Sequence, residues 1–518
     1  MVFSTCSDCA AGLLMLLTPM PSTSSRAAGR CLLVNSPKSC VFDRYCVGEV
    51  LGQGSFGIVS LARDKHCGRD CVLKVVERDG EPDAHQPSDE VAIHASLDHP
   101  NIVRIYETFE QETQLHIVME LCRGGELGDA VENAGGVCSE IEAKHVFRQV
   151  MQAVRYMHCE GLAHRDLKLD NFLIKEPQAS LSQCTIKLID FGMASRFIEA
   201  ERPSFLTMCG TPDYVAPEIL SKAPYNEKCD VWSCGVILYR LLSGDMPFDG
   251  ASVEELFKNL KAKPVRFPRH AWKSVSHDAQ SLVRRTCCKV VAERLSAQQV
   301  LAESWLQAPD AEAEAFAAAA AAAAALSPEM VANAESFGEM SPLQRASLHR
   351  VAYYMEDEHI NGTRDVFLRL DSDCDGRLTK EDLLQGASQG GLPMQDSARM
   401  EELFDQLDSD GSGALEYTEF LAAMTCHQSR MSTEACKAAF RSFDTDGSGT
   451  ISVQEIQRIF QVDGTDKVST EGLKEAFRLY DTDGDGKICF KEFLDMLHGN
   501  DCSDDLVPAI AAATIGGA

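Results

Sequence analysis

Four copies of one acidic 12-residue pattern constrain the fold of this chain more than any other feature of its sequence. The copies begin at Asp371, Asp408, Asp444 and Asp481, so they recur every 36 or 37 residues. A phenylalanine precedes each copy by four residues, and the eighth position of each copy is Leu or Ile. Because this register is kept over four copies, the pattern indicates a repeated structural unit rather than a set of solvated acidic turns.

The residue types of the repeat are those of a loop that binds a cation. Oxygen donors at positions one, three and five converge on one ion, and a glycine at position six permits the sharp bend. Position seven offers its carbonyl, and the carboxylate at position twelve closes the Ca²⁺ shell. The candidate ligands at positions one, three, five, seven and twelve are Asp371, Asp373, Asp375, Arg377 and Asp382 in loop one; Asp408, Asp410, Ser412, Ala414 and Glu419 in loop two; Asp444, Asp446, Ser448, Thr450 and Glu455 in loop three; and Asp481, Asp483, Asp485, Lys487 and Glu492 in loop four.

Loop one differs from the other three at the position that closes the shell. Asp382 stands where the other loops have glutamate, and its shorter side chain reaches the ion less easily. The sequence therefore predicts that site one binds calcium more weakly or favours Mg²⁺.

Charge and cysteine content narrow the functional classes. The chain of 518 residues has 49 basic and 78 acidic residues and a formal charge of −29, which argues against nucleic-acid binding. Its 21 cysteines are scattered without a framework, which is typical of a reducing compartment and predicts a cytoplasmic location, with the nucleus not excluded. The apolar run Ala10–Leu17 is too short to span a bilayer. We expect membrane association only if Cys6 or Cys9 is acylated.

A glycine-rich segment near the start of the chain reads L-G-x-G-x-x-G-x-V. It comprises Leu51, Gly52, Gln53, Gly54, Ser55, Phe56, Gly57, Ile58 and Val59. Glycines let the backbone approach phosphate oxygens, and the segment lies between two strand-like runs, whereas a dinucleotide fold would place a helix directly after it. Lys74, in the apolar strand that follows, is the candidate phosphate ligand. Glu90 is the expected partner of Lys74, with Glu77 and Glu81 as competing acids.

Further motifs follow in a fixed order. They are H-R-D-L-K-L-D-N at 164–171, D-F-G at 190–192, G-T-P at 210–212 and A-P-E at 216–218. With the glycine-rich loop and Lys74, they make residues 45–306 similar to a eukaryotic protein kinase domain, which is a two-lobed fold that uses ATP and Mg²⁺.

The resemblance implies catalytic roles for five residues. Asp166 would accept the proton of the substrate hydroxyl, and Lys168 would stabilise the transferred phosphoryl group. Asn171 and Asp190 would hold Mg²⁺, while Lys74 would anchor the nucleotide phosphates. All of these residue types are present, which argues against the alternative of a calcium-sensing scaffold with an inert kinase fold.

The resemblance also implies nucleotide and substrate contacts. Glu120 and Glu126 fall among the nucleotide-binding positions, and Lys168 favours Ser/Thr over Tyr as the acceptor. Glu126 and Asp170 sit where basic-directed kinases place acids, which predicts Arg or Lys upstream of the target hydroxyl in protein substrates. The alternative for Glu126 is binding of the ribose alone. Thr207 lies where many kinases carry an activating phosphate, and constitutive packing of this segment is the alternative.

Residues 358–500 resemble two paired EF-hand lobes, as in calmodulin. A kinase domain joined to four EF-hands is similar to the calcium-dependent protein kinase family of plants and protists. The expected fold class is α+β, a two-lobed protein kinase fold followed by an all-α domain of four EF-hands. The expected divisions are an unstructured extension at 1–44, the kinase domain at 45–306, an Ala-rich linker at 307–336, a junction helix at 337–357, EF-hands at 358–393, 395–430, 431–466 and 468–503, and a tail at 504–518.

The resemblance implies an autoinhibitory role for the junction helix. Without calcium it would occupy the substrate cleft or hold the lobes inactive, and calcium-loaded EF-hands would capture it. Two alternatives stay open. The segment could be a plain amphipathic helix that packs on the first EF-hand, or the kinase could be active without calcium, with the EF-hands acting as a buffer or docking surface.

Overall fold

The structure is a computed structural model that describes residues 40–54, 57–77, 87–111, 113–197, 205–221, 224–307, 327–389, 397–409, 411–425, 431–462 and 477–498. Several residues singled out by the sequence lie outside these ranges. They are Cys6, Cys9, Ser55, Phe56, Glu81, Asp410 and most of the Ala-rich linker.

A five-stranded antiparallel sheet forms the first lobe of the kinase domain, in the spatial order β1-β2-β3-β5-β4. Its elements are helix α1 Val41–Arg44, strands β1 Tyr45–Gly54, β2 Gly57–Asp64 and β3 Asp70–Glu77, helix α2 Pro87–Ala95, and strands β4 Ile105–Glu110 and β5 Gln114–Met119. Strand β3 is central and carries Lys74, whereas β4 lies at an edge of the sheet. The helix α1 falls within the last residues of the predicted unstructured extension.

Helices dominate the second lobe, and short strands carry its motif loops. The helices are α3 Leu127–Asn133, α4 Glu140–Cys159, α5 Lys228–Ser243, α6 Val253–Ala262, α7 Arg269–Trp272, α8 His277–Thr286, α9 Ala297–Leu301 and α10 Ser304–Gln307. The strands β6 Leu162–Ala163, β7 Phe172–Ile174, β8 Ile186–Leu188 and β9 Ser195–Arg196 pair as β6-β9 and β7-β8. A capping box of Ser139 and Glu142 starts α4, so the helix has a defined N-terminus.

Within residues 327–356, the described part of the connection before the acidic repeats, the chain forms two helices rather than one. They are α11 Pro328–Glu339 and α12 Pro342–Tyr354, and the expected junction helix at 337–357 spans their boundary. The break has a local cause, because Ser341 caps α12 in a capping box with Gln344 and Pro342 occupies its first turn. Met340, directly before this start, is in an extended conformation (φ −72°, ψ 151°) and ends α11.

The acidic repeats form helix–loop–helix units. Their helices are α13 Asp357–Leu370, α14 Lys380–Gln389, α15 Ser397–Leu407, α16 Tyr417–Met424, α17 Thr433–Phe443, α18 Val453–Val462 and α19 Phe490–His498, and the short strands are β10 Thr450–Ser452 and β11 Lys487–Cys489. The aliphatic residues at position eight join the loops in pairs, since Leu378 pairs with Leu415 and Ile451 with Ile488. The predicted α+β fold class, with an all-α calcium module after the kinase domain, is confirmed.

One apolar core runs from the first kinase lobe into the calcium module. It joins Val41, Leu73 and Tyr106 of the kinase lobe to Tyr353 of α12 and to many residues of α13–α19. A separate core fills the second kinase lobe. The calcium module is therefore packed against the kinase domain, and α12 lies at the centre of that packing.

Candidate active site and calcium loops

Lys74 joins the first kinase lobe to the motif loops of the second. Its Nζ lies 2.8 Å from Glu90 Oε1 and 3.8 Å from Asp190 Oδ1. Strand β3 supplies Lys74 and helix α2 supplies Glu90, so the ion pair fixes the helix against the sheet. Glu90 is thus the acid that meets Lys74, and Glu77 lies at the exposed end of β3.

A second cluster surrounds Asp166. Lys168 Nζ lies 3.3 Å from Asp166 Oδ2, and Asn171 Nδ2 donates a hydrogen bond of 2.7 Å to the Asp166 carbonyl. Thr211 donates from its N–H and its hydroxyl to Asp166 Oδ1, at 2.8 and 2.7 Å. Thr211 Oγ1 also accepts from Lys168 Nζ at 3.3 Å. Thr211 belongs to the G-T-P motif, to which the sequence analysis gave no role, and here it fixes the orientation of Asp166.

The D-F-G segment is held by buried rings. Phe191 packs against His94 of α2 and His164, with ring centroids 4.4 and 5.3 Å apart. Asp190 has a left-handed backbone (φ 65°), a conformation that costs energy in residues other than glycine. Burial lowers the pKa of His94 to about 4. A neutral ring there adds no charge beside Lys74.

The glycine-rich loop turns between β1 and β2, where Gly54 pairs with Gly57. Gly57 has a φ of 122°, and a Cβ on it would lie 2.0 Å from the Val75 carbonyl oxygen. Only glycine fits at this position. Leu51, Gly52 and Gln53 are exposed on this side of the lobe, as expected for residues that would cover a nucleotide.

Glu120 and Glu126 differ in their surroundings. Glu120 is buried and its Oε1 lies 2.7 Å from Lys175 Nζ and 3.1 Å from Lys187 Nζ. Although burial would raise the pKa of Glu120, these cations hold it far below its usual value. The Glu120 carboxylate is thus occupied by ion pairs within the protein, so main-chain atoms of Glu120 are left to contact a nucleotide. Glu126 is exposed.

An acidic patch lies beside the Asp166 cluster. It consists of Glu126, Asp129 and Asp170, and burial together with the other two carboxylates raises the pKa of Glu126. A Cβ on Gly128 of α3 would lie 3.2 Å from Asp170 Oδ1, which places Asp170 against this helix. The patch offers several carboxylates to a cationic group.

The segment around Thr207 is anchored by an aromatic residue. Phe205 exchanges main-chain hydrogen bonds of 3.0 and 2.9 Å with Tyr225, and its ring lies under the Arg165 guanidinium at 5.1 Å. Tyr225 Oη donates to the Thr207 carbonyl at 2.7 Å. The Thr207 side chain itself is exposed. Arg165, a cation that could meet a phosphate on this segment, therefore already has an aromatic partner.

Two ionic groups, Asp230 and Arg294, are buried away from solvent. Asp230 accepts from the N–H groups of His164 and Arg165 at 2.9 and 2.8 Å, and so fixes the H-R-D turn. Arg294 forms a bidentate pair with Glu218, at 2.5 and 2.9 Å. These residues hold the motif loops in place and do not line the cleft.

Among the residues that the structure describes, three of the acidic loops bring carboxylates together. The carboxylate oxygens of Asp371, Asp373 and Asp375, those of Asp444, Asp446 and Glu455, and those of Asp481, Asp483 and Asp485 lie within 4.8 Å of one another in each set. In loop two, Asp408 accepts from the N–H groups of Ser412 and Gly413 at 2.9 and 2.7 Å, as the first residue does in loop three. These oxygen donors fit Ca²⁺ in number and kind.

Loop one is built differently from loop three. Its closing residue, Asp382, accepts hydrogen bonds from Ser372 Oγ and Thr379 Oγ1, at 2.8 and 2.7 Å, and does not join the carboxylate cluster. Burial and the neighbouring carboxylates raise the pKa of Asp371 to about 8. Both features agree with the expectation of a weak first site.

The second pair of loops has closing residues that are preorganised. Glu455 and Glu492 each accept main-chain hydrogen bonds of 2.8 Å at both ends of their loops. These bonds outweigh burial and hold the pKa of Glu492 at about 2. Glu492 therefore presents a fully ionised closing carboxylate at neutral pH.

Helix α12 lies in a groove of the calcium module formed by α16, α17 and α19. Its C-terminal end docks on the sheet edge, where Tyr353 Oη donates to the Ile105 carbonyl at 2.6 Å. Arg104 donates to the carbonyls of Tyr353 and Met355, at 3.2 and 3.4 Å. None of these partners lines the cleft around Asp166.

Arg441 makes a contact between the calcium module and the first kinase lobe that the sequence did not predict. It lies on α17, three residues before loop three, and its guanidinium meets Asp64 and lies 3.2 Å from Glu107 Oε1. It also donates to Tyr45 Oη at 3.0 Å. All three partners are buried in the first kinase lobe. No local pattern marks Arg441, because its partners are more than 300 residues away in the chain.

Comparisons with known proteins agree with this architecture. Residues 45–306 match the protein kinase domain family, and residues 361–425 and 433–498 match the EF-hand domain pair. Among the described residues, no helix is both long and apolar enough to cross a membrane.

Curated relatives share both parts of the chain. Calcium-dependent protein kinase 3 of Plasmodium berghei is 33% identical over 411 residues, which cover 79% of this chain and 71% of the relative. Calcium-dependent protein kinase 5 of Plasmodium falciparum is 32% identical, with 83% and 72% covered. Calcium-dependent protein kinase 33 of Arabidopsis thaliana is 33% identical, with 84% and 81% covered. With its kinase cleft and its four calcium loops in one chain, the protein belongs to the calcium-dependent protein kinase family.

Proposed function

We propose that the protein transfers the γ-phosphate of ATP to Ser or Thr of protein substrates, and that calcium switches this activity on. The observation that carries the proposal is the Lys74–Glu90 pair at 2.8 Å, with Asp190 at 3.8 Å, in a chain whose calcium module docks on the same lobe. The pair and D-F-G contacts are those of a kinase assembled for catalysis.

The residues around Asp166 support a division of roles. Asp166, oriented by Thr211, accepts the proton of the substrate hydroxyl, while Lys168 lies beside the transferred group. Asn171 and Asp190 offer the amide and carboxylate oxygens that suit Mg²⁺, which supplies charge neutralisation of the phosphates when bound. Lys74 would anchor the nucleotide phosphates.

Substitution of the proposed base tests this assignment. Asp166→Asn should lower the rate of transfer to a basic peptide by roughly 100- to 10,000-fold, because a positioned base contributes about that much. Calcium binding, measured by titration calorimetry, should be unchanged. Retained turnover would mean that another group accepts the proton.

The acidic patch supports a preference for basic substrates. Glu126, Asp129 and Asp170 would pair with an arginine or lysine upstream of the target hydroxyl, most favourably three residues before it. The other role of Glu126, contact with the ribose, is compatible with the same position at the start of α3.

The position of α12 supports a switch through helix capture. In the structure α12 fills the groove of the calcium module, and we propose that calcium loss empties this groove and frees the helix to inhibit the cleft. Moving such an equilibrium from mostly off to mostly on takes about 5.5 kcal/mol of differential binding, which several calcium ions can supply.

Phosphate transfer to a basic peptide, with calcium and with chelator, separates this proposal from its alternatives. Transfer only with calcium supports the switch. Equal transfer in both conditions would mean that the EF-hands act as a buffer or docking surface, and no transfer in either would mean an inert scaffold.

The packing of Phe205 on Arg165 supports activity without a phosphate on Thr207. Thr207→Ala should retain at least half of the calcium-stimulated activity, because the exposed hydroxyl has no part in the Phe205–Tyr225 contacts. The measurement is the rate of the variant beside that of phosphatase-treated wild type. A loss of more than about tenfold, or about 1.4 kcal/mol in barrier, in both would show that phosphate is required.

A further inference from the structure

Ser347, at the middle of α12, has an unusual environment for a serine. Ser347 is 1% exposed, and its Oγ has no hydrogen-bond partner within the part of the chain that the structure describes. A buried hydroxyl without a partner costs about 1–3 kcal/mol. The hydroxyl therefore contributes nothing to the groove-bound state, where alanine would pack at least as well.

The sequence around Ser347 resembles a target of basic-directed phosphorylation. Arg345 stands two residues before it, Leu348 follows it and Arg350 comes three residues after it. The acidic patch of Glu126 and its neighbours would receive such an arginine. Outside the groove, α12 thus carries an acceptor hydroxyl beside the charges that the cleft is proposed to recognise.

We propose that Ser347 is an autophosphorylation site that is modified while α12 is out of its groove. The inference rests on the proposed calcium switch. In the reaction, Ser347 Oγ forms a bond to the γ-phosphorus of ATP and the bond from that phosphorus to the bridging oxygen breaks. ADP leaves with the electron pair of that bond, and the hydroxyl proton passes to the Asp166 carboxylate.

A phosphate on Ser347 opposes return of the helix to the groove. It adds nearly two negative charges and three oxygens at a site with no solvent and no partner for the existing oxygen. Arg350, one turn further along, is itself buried with its guanidinium over the Phe443 ring at 5.5 Å. When a molecule still loaded with calcium phosphorylates Ser347 of a molecule whose groove has emptied, the modified molecule would therefore need more calcium for its next activation.

The first experiment uses two inactive full-length chains as substrates and wild-type full-length protein as the enzyme, all in calcium and Mg²⁺-ATP. One substrate is the Asp166→Asn variant, in which α12 fills the groove of the calcium module. The other substrate carries Asp166→Asn together with Glu455→Gln and Glu492→Gln, which should empty the groove. Mass spectrometry should find at least tenfold more phosphate on Ser347 of the second substrate. Ser372, an exposed serine in unchanged loop one with Arg369 three residues before it, should be modified equally in both.

The second experiment measures the consequence in active full-length chains. Ser347→Glu should raise the calcium midpoint of peptide phosphorylation at least tenfold over Ser347→Ala, which removes the unpartnered hydroxyl and should have a midpoint no higher than that of wild type. Equal midpoints, or no phosphate on Ser347 in either substrate while the peptide is phosphorylated, would overturn the inference. Failure of the switch itself is recognised separately, because Glu455→Gln with Glu492→Gln would then leave the wild-type calcium midpoint unchanged.

Discussion

The two pairs of EF-hands share one loop pattern but meet the kinase domain in different ways. Loop one of the first pair lies on helix α4, where Asp373 is 3.8 Å from Arg155 and Arg377 pairs with Glu160. In loop four of the second pair, Asp483 and Asp485 are exposed. The second pair instead reaches the kinase through a helix, by way of Arg441.

This difference separates docking from ion sensing. A loop that is packed against another domain responds to both its neighbour and its ion. A loop in solvent with preorganised glutamates responds to the ion alone. We infer that the first pair positions the module and that the second pair senses calcium, and three sets of variants test this division.

The largest effect should come from the closing residues of the second pair. Glu455→Gln together with Glu492→Gln should raise the calcium midpoint of activity, because each site loses affinity by roughly 10- to 100-fold when a key ligand is weakened. Asp382→Asn in loop one is the matched control and should shift the midpoint less than threefold. A shift of similar size from Asp382→Asn would contradict the division between the pairs.

Arg441→Ala should have the next largest effect. It leaves Asp64 and Glu107 buried without that cation, and breaking a buried ion pair in this way costs about 3–5 kcal/mol, partly offset here by Arg44, which lies 3.1 Å from Glu107. We expect a lower rate of peptide phosphorylation at saturating calcium. Calcium binding, measured by titration calorimetry, should be almost unchanged. Arg458→Ala, an exposed arginine on α18, is the control. If the two variants behave alike, the contact has no role in activation.

The smallest effect should come from the glycines at position six. Gly376 and Gly449 both have a φ of 80°, so alanine strains both loops equally. Only at Gly376 would the new Cβ meet the kinase domain, 2.4 Å from Tyr156 Cδ2, whereas nothing lies within 4 Å at Gly449. Overpacking costs about 1–3 kcal/mol.

The readout for the two glycines is protection of Tyr156 and α4 from hydrogen exchange. Gly376→Ala should weaken this protection in calcium, and Gly449→Ala should leave it in place. The reverse result would show that loop one does not position the module.

Much of the site was predictable because its residues occur in local motifs with fixed chemistry. The Lys74–Glu90 pair was expected from the spacing of these two residues. The aliphatic character of position eight was also clear from the repeat, but the pairs Leu378–Leu415 and Ile451–Ile488 were seen only in the structure. The start of α12 is also encoded locally, by Ser341 and Pro342. The expected junction helix nevertheless ran through this start, because that helix was predicted from apolar spacing and not from the N-terminal cap.

Contacts between the modules could not be predicted in the same way. Arg441 looks like any surface arginine on an amphipathic helix, and its partners are fixed only when two domains pack. Glu120 was expected among the nucleotide-binding positions, but the motif gives only its position and not the direction in which Lys175 and Lys187 draw its carboxylate.

The docking of Tyr353 on strand β4 has a consequence for the resting enzyme. An edge strand presents unpaired main-chain groups that attract strands of other molecules, and here a tyrosine hydroxyl and an apolar helix end seal that edge. Undocking at low calcium would unseal it. If the proposed switch releases α12 from β4, a monomeric inhibited form would need another segment to cover β4, and without one, switching off would favour self-association.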